Sequence, residues 1–278
     1  MVELGRVSRS GFYRFDEEQE ARPDPDMDLR DAIQRIALDC PSYGRPRITA
    51  ELRRQGWTVN PKRVYRILRE DNLLCVRKRK FIVTTDSNHG RKVYPNLAGK
   101  MVVTDVDQLW VADITYIRLQ DEFVFLAVIL DACSRRVIGW ALERTLEDEL
   151  TLAALRMALS QRTVEPGLVH HSDRGSQYAS TDYTDLLKAH GVEISMSRKA
   201  NPWDNAACES FMKSLKYEEV LRNEYRDLSE ARRAITRFLE QVYNEKRLHS
   251  ALGYRPPAEF EQALLAQRKA AVECRSSL

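Results

Sequence analysis

The strongest constraint on the fold is a group of three apolar segments that follow one another closely in the middle of the chain. Residues 109–119, 123–130 and 136–142 are rich in β-branched and aromatic side chains and are separated by short polar turns, a pattern typical of consecutive strands. Helices and strands are then predicted to alternate, with helices at about 149–161, 181–190, 205–220 and 229–248 and strands at 168–172 and 192–197. This order predicts an α/β domain in which an antiparallel meander leads into crossover connections.

A smaller helical unit is predicted upstream of the strands. Apolar residues recur at helical spacing over residues 28–40 and again over 47–55. After a short turn, Asn60 and Pro61 are the N-cap residue and first-turn proline that favour the start of a third helix, which is predicted to run to about residue 72. Three short helices in this order predict a helix-turn-helix.

These patterns divide the chain into five segments. We expect a polar N-terminal segment or linker at 1–25, a helix-turn-helix domain at 26–82, a connector at 83–104, the α/β domain at 105–262 and a C-terminal tail at 263–278.

Positive charge is concentrated in the helical unit. The formal net charge of the chain is only +3, but residues 44–82 contain twelve Lys and Arg against three acidic residues. Such asymmetry favours a polyanionic partner, although a solvated helix face is the simpler explanation of any one charge run. The predicted DNA contacts are the basic face of the third helix and the basic run that follows it: Lys62, Arg63, Arg66, Arg69, Arg77, Lys78, Arg79 and Lys80.

Three carboxylates lie at positions where a negative charge is either costly, because the surroundings are apolar, or well placed for catalysis, as at the end of a strand. Asp113 lies in the middle of an apolar strand, Asp173 ends another strand at a glycine-containing turn, and Glu209 begins a helix. Helical spacing places Lys213 and Lys216 on the face of Glu209, where they could contact phosphate. Three carboxylates without a His or Cys constellation suit Mg²⁺, and two such ions would serve an in-line phosphoryl displacement.

Each of these residues also has a structural interpretation. Asp113 could pair with a buried arginine, Asp173 could cap its turn, and Glu209 could pair with Lys213 one helical turn away. Asp131, which competes for the role of Asp113, is expected to be structural because it stands at a strand-to-turn junction. Core packing is expected for His170 and His171, although one of the two should point toward Asp173, and His249 follows a basic helix end where it could contact phosphate.

Several classes of protein are excluded. The five cysteines include no Cys-x-x-Cys pair, which argues against a zinc ribbon or a disulfide framework. The longest uncharged apolar run, residues 123–130, is far shorter than the roughly 20 residues of a membrane helix. The amino end does not resemble a signal peptide, so we expect a cytoplasmic, nucleoid-associated protein.

Four blocks of sequence carry a more specific pattern: residues 110–117 around Asp113, 171–178 around Asp173, 204–216 around Glu209, and 243–254. Fifty-nine residues separate the first two carboxylates, and 35 separate the second from the third. In these blocks the chain resembles the DDE transposases of the third family of bacterial insertion sequences, the OrfA/OrfB type, whose catalytic domain is similar to that of retroviral integrases. The 35-residue gap is the one that gives this group its D,D(35)E label.

The resemblance implies an RNase H-like core, with a mixed five-stranded sheet and flanking helices, preceded by the helix-turn-helix. It implies that Asp113, Asp173 and Glu209 coordinate two Mg²⁺ or Mn²⁺ ions and catalyse strand cleavage and strand transfer at the ends of an insertion sequence. The implied partners are double-stranded DNA, further copies of the chain, and the product of the upstream OrfA frame as a fusion or partner. Two other functions stay open: a non-catalytic DNA-binding regulator derived from a transposase, and an RNase H-like nuclease.

Overall fold

The computed structural model describes residues 25–75, 92–198 and 205–276. The chain divides into two compact units, Met1–Cys75 and Val76–Leu278. The predicted DNA contacts Arg77, Lys78, Arg79 and Lys80 lie outside the described residues, as does nearly all of the predicted segment 1–25.

The first unit consists of three short helices, as the sequence predicts. They are α1 (Met27–Asp39), α2 (Arg45–Arg54) and α3 (Pro61–Glu70). The Asn60 side chain caps α3 by accepting a hydrogen bond from the backbone N–H of Lys62 at 2.8 Å. Apolar residues at helical spacing form the core of the unit, among them Leu29, Ile33, Ile36, Ile48, Leu52, Val64, Ile67 and Leu68.

The second unit is built on a five-stranded mixed sheet. Its strands are β1 (Leu109–Arg118), β2 (Phe123–Asp131), β3 (Val137–Glu143), β4 (Val169–Ser172) and β5 (Glu193–Met196). Their order across the sheet is β3-β2-β1-β4-β5, with the first three strands antiparallel and β4 and β5 parallel to β1. The predicted RNase H-like architecture is therefore confirmed.

Helices cover both faces of the sheet. The core on one face includes α4 (Asp148–Gln161) and α5 (Thr181–Ala189), and the core on the other includes α6 (Ala206–Leu215) and α7 (Leu228–Thr236). A last helix, α8 (Pro257–Ser276), follows. Because β1 alternates between the two cores, Trp110 and Ala112 face α4 and α5, whereas Leu109 and Val111 face α6.

The structure departs from the predicted helices at two places. The segment predicted as one helix at 205–220 changes from α-helix to π-helix at Lys216–Val220, and the segment predicted at 229–248 changes at Arg237–Tyr243. π-helical turns are wider than α-helical ones and are rare in proteins. Those that do occur are often found at functional sites. The first of them begins at Lys216, one of the predicted phosphate contacts.

Side chains close the outer edge of β3. The Asn244 amide accepts from the backbone N–H of Val137 at 2.9 Å and donates to the carbonyl of Val137 at 3.0 Å. Gly139 packs so closely on α4 that a Cβ there would lie 2.3 Å from the carbonyl oxygen of Ala154. Any larger residue at position 139 would separate the helix from the sheet.

No helix in the described ranges is both long enough and apolar enough to cross a membrane.

Candidate active site

The pairing of β1 with β4 brings two of the predicted carboxylates to the same end of the paired strands. The last paired residues are Val111 and His171, and Asp113 and Asp173 each follow two residues later. In parallel strands a common register and a two-residue step give neighbouring positions on the same face. That face is the one covered by α6, because Val111 belongs to the core that contains α6.

Helix α6 is attached to β1 immediately before Asp113. The Asn205 side-chain amide donates to the carbonyl of Ala112 at 3.0 Å, where the pairing of β1 with β4 has ended. Glu209 follows Asn205 by four residues, about one helical turn. The third predicted carboxylate is thereby carried to the part of the sheet that holds the other two.

Electrostatics link the three carboxylates. Burial raises the pKa of Asp113 to about 7, and the charges of Asp173 and Glu209 add to the increase. The backbone N–H of Ile114, which donates to Asp113 Oδ1 at 2.9 Å, and the charge of Lys216 act in the opposite direction. A carboxyl with this pKa is partly protonated near neutral pH, and an additional positive charge would favour its ionised form.

The turn after β4 fixes Asp173. Its Oδ1 accepts a hydrogen bond from the backbone N–H of Gly175 at 2.9 Å. A Cβ at position 175 would lie only 3.0 Å from that same oxygen, so the glycine permits the close approach of backbone to carboxylate. The predicted capping role of Asp173 and its proposed catalytic role are thus compatible.

The two lysines predicted on the face of Glu209 have different surroundings. Lys216 Nζ lies 5.0 Å from the centre of the Tyr116 ring, and burial lowers the pKa of Lys216 while the charge of Asp113 raises it. Lys213 is exposed. In the described structure, Glu209 and Lys213 do not form the ion pair that would explain both residues structurally.

The donor chemistry of this region suits a hard divalent cation, because carboxylate oxygens are the ligands that Mg²⁺ prefers. In the described part of the chain, however, no three His, Cys, Asp or Glu side chains are close enough together to hold a metal ion. Asp113, Asp173 and Glu209 therefore share one region without forming a closed ligand cluster.

Asp131 has the surroundings of a structural residue. Its Oδ1 accepts from the backbone N–H and the hydroxyl of Ser134 at 2.8 and 3.0 Å, and its Oδ2 accepts from the backbone N–H of Asp107 at 2.7 Å. The same Ser134 hydroxyl lies 2.7 Å from the buried Glu261, so its one proton is shared between the two carboxylates. Glu261 pairs with Arg136 at 2.8 Å and also with Arg162. The carboxylate of Asp131 thus holds the β2–β3 turn beside an ion-pair cluster.

Both histidines of β4 are buried and hydrogen-bonded. His170 Nε2 is 2.9 Å from the hydroxyl of Tyr183, and burial lowers the pKa of His170 to about 3, which keeps it neutral. His171 bridges two serines of the neighbouring strand region, with ring nitrogens 2.8 Å from Ser195 Oγ and 3.0 Å from Ser197 Oγ. Both side chains therefore contribute to core packing.

His249 belongs to a cluster that supports α6. Its Nε2 is 3.2 Å from Arg247 Nη1, and Arg247 makes two hydrogen bonds of 2.7 Å to Glu218 and one of 2.9 Å to Ser214. Sequence reasoning missed Arg247 and Asn205 as residues that position α6. In the sequence, each of these two is a polar residue within or next to an apolar helix face. Only its burial in the structure distinguishes such a residue from a polar residue that faces solvent.

The basic face of α3 is partly neutralised within its own unit. Asp26, just before α1, accepts from Arg63 Nε at 2.6 Å and also pairs with Arg66, which contacts Glu70 at 3.1 Å as well. The hydrogen bond from Arg63 lowers the pKa of Asp26. The remaining two predicted contacts on α3, Lys62 and Arg69, are exposed and form no ion pair with a described residue.

Comparison with known proteins extends these observations. The integrase core domain family matches residues 104–202 and again 190–257, and a family described as an HTH-like domain matches residues 25–81. The insertion element IS600 uncharacterized 31 kDa protein of Shigella sonnei is 37% identical over 271 residues, which cover 94% of this chain and 97% of that protein. Transposase InsF for insertion sequence IS3A of Escherichia coli (strain K12) is 36% identical over 274 residues, 96% of this chain and 94% of that protein.

Among solved structures, the HTLV-2 integrase catalytic core domain in complex with magnesium has a TM-score of 0.45 and 16% sequence identity, and the match covers 56% of this chain and 97% of that one. The sequence relatives match both units at more than a third identity and almost end to end. The chain therefore belongs to the IS3 family of DDE transposases and is a transposase of the polynucleotidyl transferase type.

Proposed function

We propose that Asp113, Asp173 and Glu209 are the catalytic carboxylates of this transposase and that together they hold divalent ions, two Mg²⁺ or Mn²⁺ per site. The observation that supports the proposal is the register of β1 with β4, in which the last pair, Val111 and His171, precedes Asp113 and Asp173 by two residues each. The charges of Asp173 and Glu209 both act on Asp113, which is the repulsion that a bound cation would relieve.

Bound ions of this kind stabilise the charge on the attacking and leaving oxygens of an in-line phosphoryl displacement. In the chain itself, Asp113 and Asp173 come from rigid elements, a central strand and the turn held by Gly175, so they define a fixed position for the scissile phosphate. Glu209 closes the site from α6. Lys216 and Lys213, on the same helix face, would contact phosphates next to the reacting bond.

The proposed reaction has two steps. Water first attacks the phosphodiester at the end of the element and releases a 3′-hydroxyl. That hydroxyl then attacks a phosphodiester of the target, so one strand is joined while another is broken and the number of phosphodiester bonds is conserved. Joining two ends requires at least two active sites, and we propose that further copies of the chain supply them in an assembly on DNA, at the nucleoid.

A strand-transfer assay tests the catalytic assignment. Labelled duplexes that bear the element ends are incubated with an unlabelled target and Mg²⁺ or Mn²⁺, with the wild type compared to Glu209→Gln. Joined product from the wild type alone is expected. Running each protein with the upstream OrfA frame both absent and fused tests the proposed partner, since product from the fused form only would assign OrfA a necessary role. If both proteins bind DNA and neither nicks it, the carboxylates are not a working site.

We propose that α3 binds duplex DNA through Lys62 and Arg69 first, with Arg63 and Arg66 contributing less because Asp26 already neutralises part of their charge. The basic run Arg77, Lys78, Arg79 and Lys80 is proposed to extend this contact. A matched pair of variants separates the two halves of the helix face: Lys62→Ala with Arg69→Ala, and Arg63→Ala with Arg66→Ala.

The first pair is expected to weaken DNA binding more and to reduce the slope of affinity against salt concentration, by about one for each phosphate that is no longer neutralised. Binding titrations at several salt concentrations measure both effects. Equal losses from the two pairs would show that Asp26 does not limit the arginines when DNA is bound, and unchanged binding would place the DNA interface elsewhere.

A further inference from the structure

Tyr178 has a hydroxyl group that makes no hydrogen bond. The residue is 2% exposed, and its hydroxyl is one of two buried side-chain atoms without a partner in the described structure, the other being Asn205 Oδ1. A buried hydroxyl without a partner is unfavourable, and a phenylalanine would avoid the cost. A role in another state of the protein would explain why the hydroxyl is present.

The ring of Tyr178 is held from several sides. It contacts the ring of Tyr183 edge-on at 5.5 Å and that of His170 at 6.4 Å, and those two residues are hydrogen-bonded to each other. On another side, a Cβ placed on Gly175 would lie 3.6 Å from Tyr178 Cδ2 and 3.0 Å from Asp173 Oδ1. The Tyr178 ring and the Asp173 carboxylate therefore both border the space beside Gly175, so the two side chains are close neighbours.

Two of the proposed catalytic carboxylates act electrostatically on the Tyr178 phenol. Burial raises the pKa of Tyr178, and the neighbouring Tyr183 and the charges of Asp113 and Asp173 add to the increase. The phenol accordingly keeps its proton and acts as a hydrogen-bond donor. Its ring belongs to the core on the α4 and α5 side of the sheet, next to the turn after β4 that holds Asp173.

We propose that Tyr178 is a positioning residue, whose hydroxyl donates a hydrogen bond to the Asp113–Asp173 carboxylate pair when these side chains turn toward a bound divalent cation. The proposal rests on the assignment of the carboxylates in the proposed function. A carboxylate has lone pairs enough to ligate a cation and to accept a hydrogen bond at once. Such a bond fixes the orientation of the ligand, as partners of metal-ligating groups generally do.

The test is Tyr178→Phe in the full chain. The variant removes one oxygen that has no partner in the free protein, so its thermal midpoint without metal is expected to equal or exceed that of the wild type. The affinity for Mn²⁺ alone, measured by calorimetry without DNA, is expected to fall about tenfold. The Mg²⁺ concentration that gives half-maximal cleavage should rise by a similar factor.

Tyr183→Phe is the matched control, because it removes a hydroxyl from the same aromatic cluster but one that is bonded to His170. We expect this control to lower the thermal midpoint and to leave the Mn²⁺ affinity unchanged.

Unchanged metal affinity in Tyr178→Phe would overturn the inference, and the catalytic assignment would still stand if Glu209→Gln abolishes cleavage. A loss of thermal stability in Tyr178→Phe equal to that of the control would also overturn it, since the hydroxyl would then have a partner in the free protein, such as Asn205 Oδ1.

Discussion

Asp113 in the middle of β1 and Asp131 at the end of β2 lie on neighbouring strands in opposite surroundings. Burial raises the pKa of both. Asp131 accepts hydrogen bonds from two backbone N–H groups and a hydroxyl, whereas Asp113 accepts one from the next backbone N–H and is repelled by two carboxylates. The difference teaches that burial alone does not identify a functional acid. The hydrogen-bond partners distinguish a carboxylate that stabilises the fold from one that is available for the proposed cation site.

The largest expected effect separates the two aspartates by activity. Asp113→Asn should reduce strand cleavage by at least about a thousandfold, equivalent to about 4 kcal/mol in the barrier, because the proposed site loses a ligand. The fold should be retained, since the change removes repulsion from Asp173 and Glu209. Cleavage assays together with circular dichroism measure both properties. If the Asp113→Asn protein cleaves normally, Asp113 is no more necessary for cleavage than Asp131 is expected to be.

A second variant tests the cluster that surrounds Asp131. Glu261→Ala should lower the free energy of unfolding by about 3 kcal/mol, because it removes the buried carboxylate that pairs with both Arg162 and Arg136 and leaves Arg162 with Asp107 alone. Denaturant titration measures the loss. Cleavage per folded molecule should persist, and its disappearance would connect this cluster to the catalytic carboxylates.

Asp131→Asn should cost less, about 2 kcal/mol of unfolding free energy. The amide can still accept from Ser134, but its nitrogen cannot accept from the backbone N–H of Asp107. Denaturant titration measures this loss, and strand cleavage per folded molecule should equal that of the wild type. Reduced cleavage would mean that Asp131 is not purely structural.

The smallest effect is a pH dependence. With EDTA present, folded Asp113 binds a proton below about pH 7, whereas an ordinary Asp loses it near 3.8. Between these values the folded state holds a proton that the unfolded state lacks, so stability falls as pH rises toward 7 and then levels off. Relative to Asp113→Asn, the wild type should lose about 1 kcal/mol between about pH 6 and 7 in urea titrations. If the free energies of unfolding of the wild type and of Asp113→Asn change in parallel with pH, the pKa of Asp113 is not raised.

The sequence predicted the sheet and its helices well, because strands buried on both faces read as continuous apolar runs. Asp113 was recognised for the same reason, as a charge inside such a run. The pairing of Asp26 with Arg63 and Arg66 was not predicted, since residues so far apart in sequence leave no local signal. The π-helical turn at Lys216–Val220 was missed because one extra residue per turn barely changes the apolar pattern. The larger number of hydrogen bonds to Asp131 than to Asp113 was likewise visible only in three dimensions.

The amide of Asn244 on the outer edge of β3 has a consequence for how copies of this transposase can meet. An exposed edge strand invites another chain to add a strand, the route to edge-to-edge aggregation. Asn244 occupies both backbone groups of Val137, and Met157 Sδ lies 3.3 Å from the backbone N–H of Trp140. With these positions taken, fewer backbone groups along this edge are available to pair with a strand of another copy.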